Sequence, residues 1–344
     1  MDLLTYAAIA FCISFLTTFG MMHVKILDVP SQRSSHTIPT PRTGGIAVLS
    51  GFYGALFSMG MSWSTPFWDM RIPIFSVLIG SALIAVLGFV DDFKSLGSNV
   101  RLFLQLVIAS SVLLSGASIH ELSLPFFPDL KLSFVGSLLS LFWIIGFLNA
   151  FNFMDGINGI TGTIAAISCI NLIIIASFYH NLAVLHFLIP LLFAALGFLY
   201  FNFPKGRIFL GDAGSQFIGF LFATLMLLLT KPTFGSISFW TFPLLFFFYL
   251  YDTAFTLIRR FLKKANLLQA HREHLYQLLN QSGWSHGQVT SLYGLFFMLQ
   301  GAACIAMQFF SSQWHIFFYI PFLGLAFGYT LWVMKKAKKA GVSL

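Results

Sequence analysis

Apolar runs of roughly twenty residues recur from one end of this chain to the other, each able to cross a hydrocarbon core of about 30 Å. Asp, Glu, Lys and Arg make up 9% of its 344 residues. A soluble domain carries about 25%, so this chain cannot clothe itself in a solvated surface, and its solvent is largely lipid. The expected fold is an all-α integral membrane protein, one polytopic domain over residues 1–344. The first run, LLTYAAIAFCISFLTTFGMM, has no basic flank and no clear small-x-small cleavage site, and reads as a retained span. Cys12, Cys169 and Cys304 lie within apolar runs at no disulfide or metal spacing, so they read as small buried hydrophobes.

Hydropathy and helix breakers mark eleven expected spans, near 3–22, 44–61, 72–90, 102–118, 134–150, 157–178, 183–201, 214–230, 237–257, 290–310 and 315–334. With the loops placed alternately, 16 of the 19 Lys and Arg fall on one side, and Arg71, Lys131 and Lys231 on the other. The positive-inside rule makes the basic side cytoplasmic. The N-terminus is then periplasmic, the basic tail 335–344 cytoplasmic, and Trp63, Trp68, Trp240 and Trp314 form an outer aromatic belt. The net charge of +8 is explained by this topology and is no argument for nucleic acid.

The inner loops are expected at about 23–43, 91–101, 149–158, 202–213 and 258–289. Asp91, Asp92, Asp155, Asp212, Asp252 and Glu273 map to that face or the last turn before it, while Asp2, Asp69, Glu121 and Asp129 are scattered outside. No expected span carries a charge near its middle. That argues against an ion-coupled transporter, which needs ionisable groups at depth.

Five inner segments stand out: DVPSQRSSHTIPTPRTGG, VDDFKSLGSNVRLFLQ, LNAFNFMDGINGITG, FNFPKGRIFLGDAGSQFIG and RRFLKKANLLQAHREHLYQLLNQSGWSHGQ. Asn149, Asn152, Asp155 and Asn158 recur every three residues, which keeps them near one face of a helix end. Asp212 lies between glycines as a span begins, and His271 and His274 are spaced to face one ligand from a helical turn. Each piece has a plain structural reading. Basic residues anchor membrane proteins, a Gly-Asp can be an N-cap, Asn can bridge helices, and His286 and His315 read as unremarkable. Convergence argues otherwise, because these groups share one face of a chain otherwise nearly free of them. Hard oxygen donors suit Mg²⁺, and Arg and His suit phosphate. The composite points to phosphoryl transfer at a membrane surface.

The Asp pair at 91–92, NAFNFMDGINGI at 149–160, FLGDAGS at 209–215 and AHREHLYQ at 270–277, in this order, resemble the signatures of the polyprenyl-phosphate N-acetylhexosamine-1-phosphate transferases. The stretches RSSHTIPTPRTGG and YDTAFTLIRR most resemble the WbpL-like branch, which initiates O-antigen or related glycans, and eleven spans suit the WecA side better than the ten-span MraY side. The resemblance implies a bacterial inner-membrane enzyme with a UDP-N-acetylamino sugar and undecaprenyl phosphate as substrates and Mg²⁺ (or Mn²⁺) as cofactor. A homodimer is also a fair expectation from the family. It implies Asp212 as principal metal ligand with Asn152 nearby, Asn158 and Phe209 on the uracil, and Arg272, His271 and His274 on pyrophosphate or sugar. Arg101 would face the phosphates, Asp91 and Asp92 would lie beside the lipid phosphate, and Asp155 joins the catalytic set. Lys94, counted with the substrate-binding residues by this resemblance, stands one place earlier than the lysine of MraY-type proteins. Asn158 stands where those proteins carry an aspartate, which argues against a muramyl-pentapeptide substrate.

Two adjacent carboxylates repel, so a purely structural pair should gain nothing from the arrangement, whereas a site handling Mg²⁺ and phosphate can use both. A phosphate monoester is mostly ionised near neutral pH, its second pKa being about 6, so Asp91 is expected to position rather than to take a proton. Other intramembrane enzymes fit less well. After Asp155-Gly156 come none of the spaced acids of the CDP-alcohol class, and aromatic prenyltransferases need two Asp-rich motifs. A glycan-lipid flippase or transporter is the alternative outside catalysis, and it predicts intramembrane charges or internal repeats.

Overall fold

The computed structural model describes residues 3–30, 35–60, 71–179, 182–231, 237–266, 269 and 271–342. Asp2, Arg33, Trp63, Trp68 and Asp69 lie outside the described residues. The helices are α1 (Leu3–Met21), α2 (Gly44–Gly60), α3 (Arg71–Lys94), α4 (Ser98–Leu114), α5 (Ser133–Phe153), α6 (Ile160–Phe178) and α7 (Leu182–Asn202). They continue as α8 (Gly211–Leu229), α9 (Thr241–Leu245), α10 (Phe247–Leu262), α11 (Leu275–Gln281), α12 (His286–Met307) and α13 (Ile320–Lys339), the last preceded by a 3₁₀ segment, Ser312–Tyr319.

Among the described residues, eight helical stretches are long and apolar enough to cross a membrane: α1, α3, α5, α6, α7, α8, α12 and Ser312–Lys339. Helices α2 and α4 are apolar but shorter. The span expected at 237–257 is divided at Phe246 into α9 and α10. The fold is predominantly helical, as expected; among the described residues two short antiparallel pairs join the helices, β1 (Leu27–Asp28) with β2 (Thr40–Pro41) and β3 (Glu121–Leu122) with β4 (Leu130–Lys131). Cys169 and Cys304 are buried as expected, whereas Cys12 lies on an exposed face of α1.

Helix α8 forms the centre. It is apolar on all sides and buried from Ala213 to Leu229, which is the pattern of a helix enclosed by others. Helices α3, α5 and α2 pack around it, with α4 outside α3 and α5. A second group joins α1, α2 and α7, and α6 connects α7 to α12. Small residues permit close approach: a side chain at Gly88 of α3 would meet the Asp212 backbone oxygen at 2.5 Å. The β1–β2 pair folds the first inner loop back on itself. Phe209 N–H then donates to Pro41 O (2.7 Å), and Gly45 N–H to Leu210 O (2.7 Å), which fixes the start of α8 beside Arg42.

Several expected loops are partly helical. Helix α3 runs on to Lys94 and α4 begins at Ser98, so Asp91 and Asp92 stand in a last helical turn and the loop between them is three residues long. Helix α5 ends at Phe153, between Asn152 and Asp155, so the three-residue spacing does not keep all four polar groups on one helix face.

Candidate active site

The ends of α3, α4, α5 and α8 meet the segment before α11 at one end of the bundle. Asp91 closes the α3–α4 turn, where its Oδ1 accepts the N–H of Leu96 (2.7 Å) and its Oδ2 accepts Arg101 Nη1 (2.5 Å). Arg101 also lies 3.7 Å from Asp212. Asp92 turns the other way, accepts the N–H of Ala213 at 3.3 Å and faces Arg42 at 3.8 Å. A carboxylate at the first turn of α8 meets unpaired amides and the positive end of the helix dipole. Gly211, at φ 72°, makes room for it, since a side chain there would meet Asp92 Oδ2 at 2.7 Å. Each member of the pair therefore has a structural partner, which corrects the expectation that a structural pair gains nothing.

A chain of amides runs to the same point. Asn149 Nδ2 donates to Gln105 Oε1 (2.8 Å), Gln105 Nε2 to Gln216 Oε1 (2.9 Å), and Gln216 Nε2 to Asp212 Oδ2 (3.4 Å). Gln105 and Gln216 are fully enclosed, and the donation runs one way, ending on the carboxylate. Asn152 Oδ1 is held by Ser215 Oγ at 2.5 Å. Beyond α5, Asp155 sits in the 154–159 turn, where burial, reinforced by the negative charge of Asp92, pushes its pKa up to about 7. Asn158 is fastened on three sides. Its N–H reaches His286 Nδ1 (3.3 Å), its carbonyl accepts Thr290 Oγ1 (2.9 Å), and its side chain donates to Pro204 O (3.3 Å).

His271 and His274 are not a helical turn apart, because α11 begins at Leu275 and both precede it. Their rings nevertheless stack, with centroids 5.0 Å apart. His271 Nδ1 accepts the N–H of Glu273 at 3.4 Å, which leaves the ring proton on Nε2. Burial, with the neighbouring His274 and Arg260 charges, pushes its pKa down to about 4. His274 points inward, 2% exposed, with Nδ1 3.3 Å from Asp252. Glu273 bonds Arg259 (3.0 Å) and Arg260. Burial opposes its ionisation, yet the two guanidinium groups hold its carboxyl below the usual range.

Two adjoining cavities result. The first, of about 450 Å³, is lined by Asp92, Asp155, Asp212, Asn152, Asn158 and Phe209, and also by His271 and Arg272. The second, of about 600 Å³, shares Asp92, Asp155, Asp212 and His271 and adds Asp91, Arg101 and His274. Of the residues predicted for the site, Lys94 alone is not brought to either cavity. It is exposed at the end of α3. Sequence reasoning missed Asp28, His36, Arg42 and Gln277, which line the first cavity, and read His286 as unremarkable although it holds Asn158. The proline-rich punctuation around Arg42 was a signal for the first three. Nothing local marks His286.

Residues 74–230 match glycosyl transferase family 4. A phospho-N-acetylmuramoyl-pentapeptide-transferase of Lactobacillus johnsonii is 30% identical over 66% of this chain and 75% of its own length. The chain belongs to glycosyl transferase family 4. A probable undecaprenyl-phosphate N-acetylglucosaminyl 1-phosphate transferase of Bacillus subtilis (strain 168) is 28% identical over 96% of this chain and 94% of its own. A decaprenyl-phosphate N-acetylglucosaminephosphotransferase of Mycobacterium tuberculosis is 27% identical over 76% and 70%. The family match runs from α3 to α8, the stretch of chain that contains Asp91, Asp92, Asp155 and Asp212.

Proposed function

We propose that this chain is a membrane phosphotransferase that moves N-acetylamino-sugar-1-phosphate from a UDP-sugar to undecaprenyl phosphate, giving undecaprenyl-pyrophosphoryl-sugar and UMP. The observation that carries this is the convergence of four aspartates with Arg101, Arg272 and His271 on adjoining cavities at one end of a lipid-dissolved bundle. Relatives along the length of the chain bear names of that reaction class. Asn158, in place of an aspartate, favours a UDP-N-acetylhexosamine over the muramoyl-pentapeptide donor, and initiation of O-antigen or another envelope glycan is the matching role. The basic residues gathered at the site end favour a cytoplasmic site in the bacterial inner membrane.

Among the described residues no three His, Cys, Asp or Glu side chains close on one point as a full metal cage. Mg²⁺ does not need one, since it commonly keeps waters and takes one or two carboxylates plus substrate phosphate. Asp212, with the Asn152 amide nearby, fits that donor set. Bound there, Mg²⁺ or Mn²⁺ would neutralise charge on the diphosphate. The protein's own groups do the rest. Phe209 and Asn158 hold the uracil, Arg272 and the Nε2–H of His271 bind the diphosphate or sugar, and Asp91 fixes Arg101 beside the lipid phosphate. An oxygen of that phosphate attacks the sugar-bound phosphorus, and the bond to UMP breaks.

Purified protein given undecaprenyl phosphate and a panel of UDP-sugars should release UMP and form a lipid-linked sugar with at least one of them. A flippase would release none.

A further inference from the structure

The segment from Lys263 to His274 contains no helix or strand among its described residues, so the placement of His271 and Arg272 depends on tertiary contacts. Arg259 and Arg260 hold Glu273, Gln281 Nε2 donates to Arg272 O (2.8 Å), and where the segment enters α11 the contacts gather on one carboxylate. Asp252 of α10 is 1% exposed. It accepts the N–H groups of Leu275 (2.8 Å) and Tyr276 (3.2 Å), and its Oδ1 lies 3.3 Å from His274 Nδ1. The hydroxyls of Tyr293 (2.7 Å) and Thr256 (3.3 Å) complete the set. A carboxylate offers about four lone-pair sites, so Asp252 is fully engaged and is suited to hold rather than to react. Three of its five partners are residues 274–276, directly after His271 and Arg272. From the other side, Tyr276 Oη donates to Phe153 O (2.9 Å), which pins the start of α11 against the end of α5.

We propose that Asp252 is a positioning residue: by holding residues 274–276 it sets where His271 and Arg272 stand over the cleft. Its kinetic consequence rests on the transferase reading above. Removal of Asp252 would let the start of α11 drift, and a displacement of about 1 Å can cost about 10²-fold in rate.

The test is a double-mutant cycle on the purified full chain, with UMP release as readout. Asp252→Asn keeps the side chain's volume but turns one acceptor into a donor facing these N–H groups. It should lower kcat/KM by about 10- to 100-fold. In a chain already carrying His271→Ala and Arg272→Ala the same change should cost less than about 3-fold, because residues that act through one another are not additive. Equal losses in both backgrounds would overturn the proposal. If Asp252→Asn does not yield folded protein, Tyr293→Phe removes one bond to the carboxylate and should show the same non-additivity at smaller size. Hydrogen exchange without substrate separates this idea from the functional one. The amides of Leu275 and Tyr276 should exchange at least about 10-fold faster in Asp252→Asn, and unchanged exchange refutes the anchor even if the wild type proves to be a transferase. A wild type that releases no UMP refutes the transferase reading, and exchange then still decides what Asp252 holds.

Discussion

Two acidic regions of this molecule are built on opposite plans. At the start of α8, Asp91, Asp92, Asp155 and Asp212 crowd the walls of two cavities, and Asp212 is met at long range, by Gln216 at 3.4 Å and Arg101 at 3.7 Å. At the corner of α10 and α11, Asp252 is saturated by amides, hydroxyls and the His274 ring, and Glu273 is clamped between two guanidinium groups. Carboxylates that outnumber the guanidinium groups facing them, here Arg42 and Arg101, repel one another and are poised for a cation or a phosphate that brings one. Carboxylates with every lone pair in use hold structure in place. Local sequence does not separate the two kinds, whereas the completeness of their hydrogen bonding does.

The largest effect should come from the less satisfied region. Asp212→Asn should cut metal-dependent UMP release by at least about 10²–10³-fold while the protein stays monodisperse in detergent. Full turnover by the folded variant would break the contrast at its centre. Asp91→Asn should cost less, about 10- to 100-fold, because its work is to hold Arg101 and the Leu96 amide. That defect should stay constant from about pH 6 to about pH 9, since a lipid phosphate with a second pKa of about 6 ionises alike for both proteins and needs no base. Recovery of activity at high pH would make Asp91 a base.

His271→Ala should lower kcat/KM about 10-fold, the worth of one hydrogen bond to a charged ligand. With its pKa pushed down to about 4, His271 stays neutral above that pH, so the profile of His271→Gln should keep the wild-type shape above about pH 5. A lost acidic limb would show that His271 is charged in turnover. His286→Ala should act through Asn158 instead, raising KM for the UDP-sugar about 3- to 5-fold with kcat little changed.

Glu273→Gln should have the smallest effect, about 1 kcal/mol of stability, read as the apparent melting temperature in detergent. Because the folded pKa of Glu273 is depressed, its contribution is present above the unfolded value of about 4.3 and is lost as pH falls through the lower folded one. The wild type should lose that increment on acidification below about pH 4, and the variant should not.

Much of the candidate site was legible because its residues lie in short motifs whose chemistry is visible locally. The Asp pair, the glycine-flanked Asp212 and the turn after Asn152 are brought together on the walls of two adjoining cavities. The misreadings share one cause. His271 and His274 were placed on a helix by their spacing, but α11 starts later because Asp252, some twenty residues upstream, takes up its first amides. Lys94 came from the resemblance, one place out of register with the MraY-type lysine, and its position on α3 leaves it exposed. His286 meets Asn158 across 128 residues of chain, a pairing that no local pattern can announce.

What the sequence by itself determined is the solvent, the helical class and the inventory of reactive groups. Apolar runs this long can be satisfied only in lipid, and so few charged residues in so many apolar ones mark each polar motif. What the tertiary structure alone decided is which groups stand ready and which are already engaged. That depends on how each helix is rotated and where it ends, and therefore on close packing between helices distant in sequence, as where Gly88 admits the Asp212 backbone and α10 brings Asp252 to the start of α11.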